Sequence, residues 1–200
     1  MTVADMPRSV PAAPSWRPGR RLVVGASIAL ALVAGGTTGA AYYYDSVPLV
    51  ESAVGYPVVT VSDDAAHAFV AAVDPDFYAS NDSLITRRYV VLAAGAGEES
   101  SLRARIMARK AESAYTKVEI LDRFLNRADY GRGATGLVAA AQVYFQKAPE
   151  QLTVAEAAFL AVQLDPAATD QQAAWNAVLD TMVDLGWLTA ADRGGQAFPG

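Results

Sequence analysis

Chemistry in this chain must come from carboxylates, hydroxyls and one imidazole. The 200 residues hold no cysteine and a single histidine, His67. A thiol nucleophile, a thiolate metal site, a disulfide framework and a pair of histidines are therefore excluded. His67 has neither further ligands nor an orienting acid in the sequence around it, and reads as structural. Three acids stand where a catalytic carboxylate could act: Asp74 ahead of Pro75, and the adjacent Glu98 and Glu99 after a glycine-rich turn. Each has a structural reading too. Asp74 would end a helix before the proline, and an acidic pair after such a turn would offset the dipole of a helix in its first turn. Arg87, Arg88, Arg103, Arg105, Arg109 and Lys110 could meet a phosphate group or form a solvated helical face.

Charge narrows the partners. Twenty-one Asp+Glu against sixteen Lys+Arg gives −5; residues 1–21 carry +3, so the rest carries −8. A body of that sign repels a phosphate backbone, which excludes nucleic acid as a partner. With 52% hydrophobic and 18% charged residues the chain is too apolar for disorder.

The elements that must carry these residues are helices behind a membrane segment. Residues 22–44, LVVGASIALALVAGGTTGAAYYY, are free of charge, and 23 residues at about 1.5 Å rise span a hydrocarbon core of about 30 Å. Arg17, Arg20 and Arg21 precede the run and Asp45 follows it, which puts residues 1–21 in the cytoplasm as a flexible leader and the body outside. A cleaved signal ending near Gly39 and Ala41 is the alternative, though its apolar region would be shorter. Residues 45–62 read as a linker, with Tyr56–Val61 either extended or a short strand, and residues 63–200 as one mainly α domain. Helices are expected over Asp63–Val73, Leu84–Ala94, Glu98–Ser113, Ala134–Gln146 and Asp170–Leu185. Two more should follow Thr116 and Thr153, each of which opens a Thr-x-x-Glu capping box.

One block is specific. The segment YTKVEILDRFLNRADYGRGATGLVAAAQVYFQKAPEQLTVAEAAFLA, starting at Tyr115, resembles the peptidoglycan glycosyltransferase domain of penicillin-binding proteins, glycosyltransferase family 51. That family shows Tyr-Ser-Lys-x-Glu-Ile-Leu, Leu-Asn, Tyr-Phe-Gly-x-Gly-x-x-Gly, Tyr-Phe-x-Lys and Leu-Thr-x-x-Glu-Ala-Ala. WNAVLDTMVDLGWLT resembles its trailing helix, and HAFVAAVDPDFY and SLITRRYVV resemble, more thinly, its first two motifs. The resemblance implies a lysozyme-like all-helical fold at the bacterial cell membrane. It also implies a reaction in which a sugar hydroxyl attacks the anomeric carbon of a growing glycan and displaces a lipid diphosphate. It places Phe77, Thr86, Arg87, Arg88, Arg103, Tyr130 and Arg132 along the substrate cleft. Gly131, Gly133 and Gly136 would shape a turn closed to side chains, whereas Gly95, in a loop with no family counterpart, should accept alanine. No cofactor is expected; a divalent cation enters by resemblance only.

The departures decide the functional reading. With Asp74 and Phe77 set on the family's Asp-x-x-Phe, Val73 occupies the place of the catalytic glutamate. Counting back from Thr116–Lys117, a second family glutamate falls on Ala104, and a third, after the glycine turn, on Val138. The glutamine pair of the second motif is Arg87–Arg88, and the Tyr78–Ser83 connection is far shorter than in the family, so the domain is truncated. A general base typically contributes about 10²–10⁴-fold, and valine cannot act as one. The leading expectation is therefore a membrane-anchored, catalytically inactive relative that binds glycan strand, lipid-linked precursor or a cell-wall synthase. The alternatives are an active divergent enzyme with Asp74, Glu98 or Glu99 as base, and a structural envelope protein without ligand.

Overall fold

The computed structural model describes residues 36–50, 61–95 and 97–200. Most of the expected membrane run, the leader, and the Tyr56–Thr60 part of the expected strand lie outside the described residues. Residues 36–46 are helical with Tyr42, Tyr43 and Tyr44 exposed, and no helix among the described residues is long and apolar enough to cross a membrane. The described residues 36–46 and those from Val47 to Gly200 fall in separate units.

The second unit is helical throughout, with no strand among its described residues. Its helices are α1 (Asp63–Val73), α2 (Leu84–Ala94), α3 (Leu102–Ala114), α4 (Lys117–Leu125), α5 (Leu137–Phe145), α6 (Val154–Val162), α7 (Gln171–Asp184) and α8 (Ala190–Gly194), with a 3₁₀ turn at Pro149–Gln151. Helix α1 packs on α6 and α7, and α2 packs on α3 and α4. Alanines make the close approaches: Ala65, Ala68 and Ala71 in α1, Ala104, Ala108 and Ala111 in α3, and Ala155, Ala157, Ala158 and Ala161 in α6 are all buried. Small side chains let helix axes come near while Phe69, Tyr89, Met107, Phe124 and Leu160 fill the space between. Val47 and Val50, assigned to the linker from sequence, are also buried in this core.

Side-chain caps set most helix starts. Ser62, Ser83, Ser101, Thr116, Thr153, Asp170 and Thr189 each accept a backbone N–H of the first turn. Ser101 corrects one boundary: α3 starts at Leu102, so Glu98 and Glu99 precede the helix rather than form its first turn. Glu99 instead pairs with Arg88 across 3.2 Å. Helix α5 begins at Leu137, three residues later than expected, because Gly136 at φ 83° cannot continue a helix. Helix α8 had no apolar stripe to announce it.

The capping boxes at Thr116 and Thr153 form as expected. Burial acts to raise the Glu156 carboxyl, but Lys147 and the Thr153 backbone and hydroxyl outweigh it, leaving it below its ordinary value. Lys147 donates to both Glu156 oxygens at 2.6 and 2.9 Å. A carboxylate lowered on folding stabilises above its unfolded titration range, and that contribution fades as pH falls through the folded value. The urea midpoint of the wild type should therefore drop more steeply than that of Glu156→Gln below about pH 4.3. Parallel acid limbs would contradict this.

Candidate functional site

The site is built where α1, α2, α3 and α4 meet the short 74–83 connection. Val73 ends α1 and is half-buried. Asp74 binds the start of the next helix: one carboxylate oxygen accepts the Ser83 hydroxyl and the Leu84 amide, both at 2.7 Å. It thereby satisfies a donor that a helix start leaves open, at the positive end of α2. Ser83 completes the arrangement by accepting the Thr86 amide.

Beneath that cap lies a charged cluster. Thr86, fully buried, donates its hydroxyl to Glu112. Lys117 donates to the same carboxylate, 2.7 and 2.8 Å from its two oxygens, and to the Ser80 carbonyl at 2.6 Å. Its ammonium also stands 4.5 Å from the centre of the buried Phe77 ring. The Glu112 side chain is only 8% exposed, and both its oxygens are held by internal donors. The two residues lie on either side of the corner between α3 and α4, five positions apart. Helical spacing of three or four would have flagged them; a pair bridging a corner carries no such signal.

Above the cluster, Asp82 draws two guanidiniums from different helices, Arg87 of α2 at 3.4 Å and Arg105 of α3 at 3.3 Å. Phe77, Thr86 and Arg87 are thus gathered in one place, with Glu112, Lys117 and Asp82 added by the fold. Other candidates lie elsewhere. Arg88, one step along α2 and so turned about 100° from Arg87, lines a cavity of about 250 Å³ with Leu92, Glu99, Phe124 and Leu164. Arg103 and Arg109 are exposed on α3, and Lys110 donates to the Val47 carbonyl. Ala104 is 0% exposed, on the face of α3 that carries Met107, Ala108 and Ala111 into the core, whereas Val138 is 48% exposed on α5.

The glycine turn is a scaffold. Gly131, Gly133 and Gly136 have φ of 75°, 75° and 83°, and Arg132 adopts 54° between the first two. Arg132 is exposed and lies over the Tyr144 ring at 4.5 Å. Tyr130 is buried, donates to the Leu125 carbonyl at 3.2 Å, and accepts the Tyr144 hydroxyl on its own carbonyl at 2.6 Å. Burial pushes the Tyr130 phenol well above its ordinary range, so it stays neutral and acts as a strut. His67 stacks on Trp187 at 4.4 Å and likewise joins no charged group of the site. Among the described residues no group of His, Asp and Glu could hold a metal ion.

A family model described as transglycosylase matches residues 65–183, more than half of the chain. Penicillin-binding protein 1A of Mycolicibacterium smegmatis is 41% identical over 132 residues, 58% of this chain and 17% of that protein. Penicillin-binding protein 1A of Mycobacterium tuberculosis is 43% identical over 102 residues, 47% of this chain and 12% of its own length. A Cupriavidus necator protein named as a candidate transglycosylase is 31% identical over 166 residues, 77% of this chain and 65% of its own. The chain thus spans less than a fifth of either penicillin-binding protein it matches here.

Proposed function

The chain belongs to the transglycosylase family, and from that premise we propose that it is a membrane-anchored peptidoglycan glycosyltransferase-like protein that binds without polymerising. Its ligand is a glycan strand or the lipid-linked precursor, alone or beside a cell-wall synthase. One observation carries this reading: the carboxylates gathered at the site, Asp74, Asp82 and Glu112, are each engaged by donors of the protein itself. Val73 and Ala104 stand where the family resemblance puts glutamates, Asp74 is spent capping α2, and Glu112 is held by Thr86 and Lys117. Two guanidiniums are kept nearby in Arg87 and Arg105, which suits binding an anionic sugar carrier better than activating a hydroxyl. Glu99 is paired with Arg88 in a separate cavity and is not one of the groups gathered around Thr86 and Lys117.

The test is binding: the full-length protein in detergent, titrated with lipid-linked disaccharide, should saturate. Absence of binding to both precursor and glycan strands would leave only a structural envelope role.

Anchoring rests on the charge-free run at residues 22–44 and the arginines before it. Reporter fusions before Arg17 should read cytoplasmic and fusions after Asp45 extracytoplasmic. A mature protein beginning near Tyr42 would replace the anchor with a cleaved signal.

A further inference from the structure

Three cations on three helices close on one three-residue loop. Lys117 of α4 holds the Ser80 carbonyl, and Arg87 of α2 and Arg105 of α3 each reach one oxygen of Asp82. Neither arginine is well matched by what it holds. Each makes a single contact longer than 3.2 Å, where guanidinium and an oxyanion favour short, two-pronged bonds. The Arg87 side chain is only 25% exposed, and its Nε is shut off from solvent with no hydrogen-bond partner. A desolvated donor left unpaired is unfavourable, and calls for an explanation in a missing acceptor. Asp82 is half exposed, and its amide is tied only to the neighbouring Ser80 hydroxyl at 3.0 Å. Ser80 itself is held by Lys117, so the contact is released by rotation of the half-exposed Asp82 side chain.

We propose that the 80–82 loop is a built-in occupant of an anion site. The Asp82 carboxylate holds the place of a phosphate group that Arg87 and Arg105 clamp once the Asp82 side chain turns out to solvent. The ligand class is a diphosphate ester. A phosphate group offers three oxygens and at least the charge of a carboxylate, so it can engage two guanidiniums from separate helices more fully than one aspartate does. Asp82 is then a competitor that sets how much of the protein is open to ligand, because apparent affinity falls with the fraction of the binding-competent state. This rests on the binding function above for the ligand's identity as a lipid-linked precursor, but not for the existence of the clamp.

The test titrates inorganic pyrophosphate and, separately, farnesyl diphosphate into the full-length protein in detergent. Asp82→Asn, which keeps the loop length and removes the competing charge, should bind pyrophosphate about tenfold tighter than wild type. Adding Arg87→Gln should abolish that gain, and Arg105→Gln, at an exposed position, should reduce it with an unchanged melting temperature. A gain shared by both probes assigns the site to the diphosphate itself; a gain with farnesyl diphosphate only assigns it to a lipid headgroup. Equal affinities of wild type and Asp82→Asn for both probes, or a gain that survives Arg87→Gln, would overturn the proposal. If lipid-linked disaccharide binds no variant while pyrophosphate still separates Asp82→Asn from wild type, the binding function fails and the clamp stands.

Discussion

Ala104→Glu should lower the stability of the protein by about 3–5 kcal/mol, read as a shift of the urea midpoint. Ala104 is 0% exposed and faces the core with Met107, Ala108 and Ala111, on the helix that packs against α2. A carboxylate placed there loses its hydration, and must either stay charged in the core or bind a proton at the expense of folding. Arg103 and Arg105 flank the position in sequence but both are exposed, as residues one step along a helix are turned about 100° away. Restoring this acid therefore damages the fold instead of the chemistry being regained. An Ala104→Glu variant as stable as wild type would mean that the position opens to solvent and that the cleft is less closed than described.

Gly136→Ala should cost roughly 2–4 kcal/mol. Two effects add. The residue sits at φ 83°, strained for any side chain, and a Cβ would lie 2.7 Å from the Asn126 carbonyl oxygen, a backbone atom that cannot swing away. That approach is fixed by the Gly136 amide, which donates to the Ala128 carbonyl at 2.8 Å, drawing the start of α5 onto the end of α4. Gly95→Ala provides the contrast. Gly95 is a left-handed C-cap of α2 at φ 57°, so alanine is not neutral there, contrary to the expectation from sequence. Open space surrounds it, however, and the cost should stay near 1 kcal/mol. Equal losses at the two positions would contradict the close-approach argument.

What sequence could and could not deliver divides along local and tertiary lines. Helices α1 and α2 agree with their expected limits because serine caps and an alternating apolar face are written in adjacent residues. Gly131, Gly133 and Gly136 were singled out by the family resemblance, and all three have positive φ, a region open to glycine. The start of α3 was misplaced because an acidic pair and a serine both signal a helix start, and Ser101 won. The charged cluster was not legible at all. Thr86 and Glu112 are 26 residues apart, and only the packing of α2 on α3 brings them into contact. Asp74 was readable as a helix terminator but not as the cap of the next helix, since that role depends on how tightly residues 74–83 fold back.

The proposed loss of the general base is tested most directly by turnover. Lipid-linked disaccharide incubated with the full-length wild-type protein, and with Val73→Glu, should give no polymer on gel analysis, because neither supplies a base together with the second acid. Glycan chains from the wild type that vanish in Asp74→Asn would contradict it and make Asp74 the base.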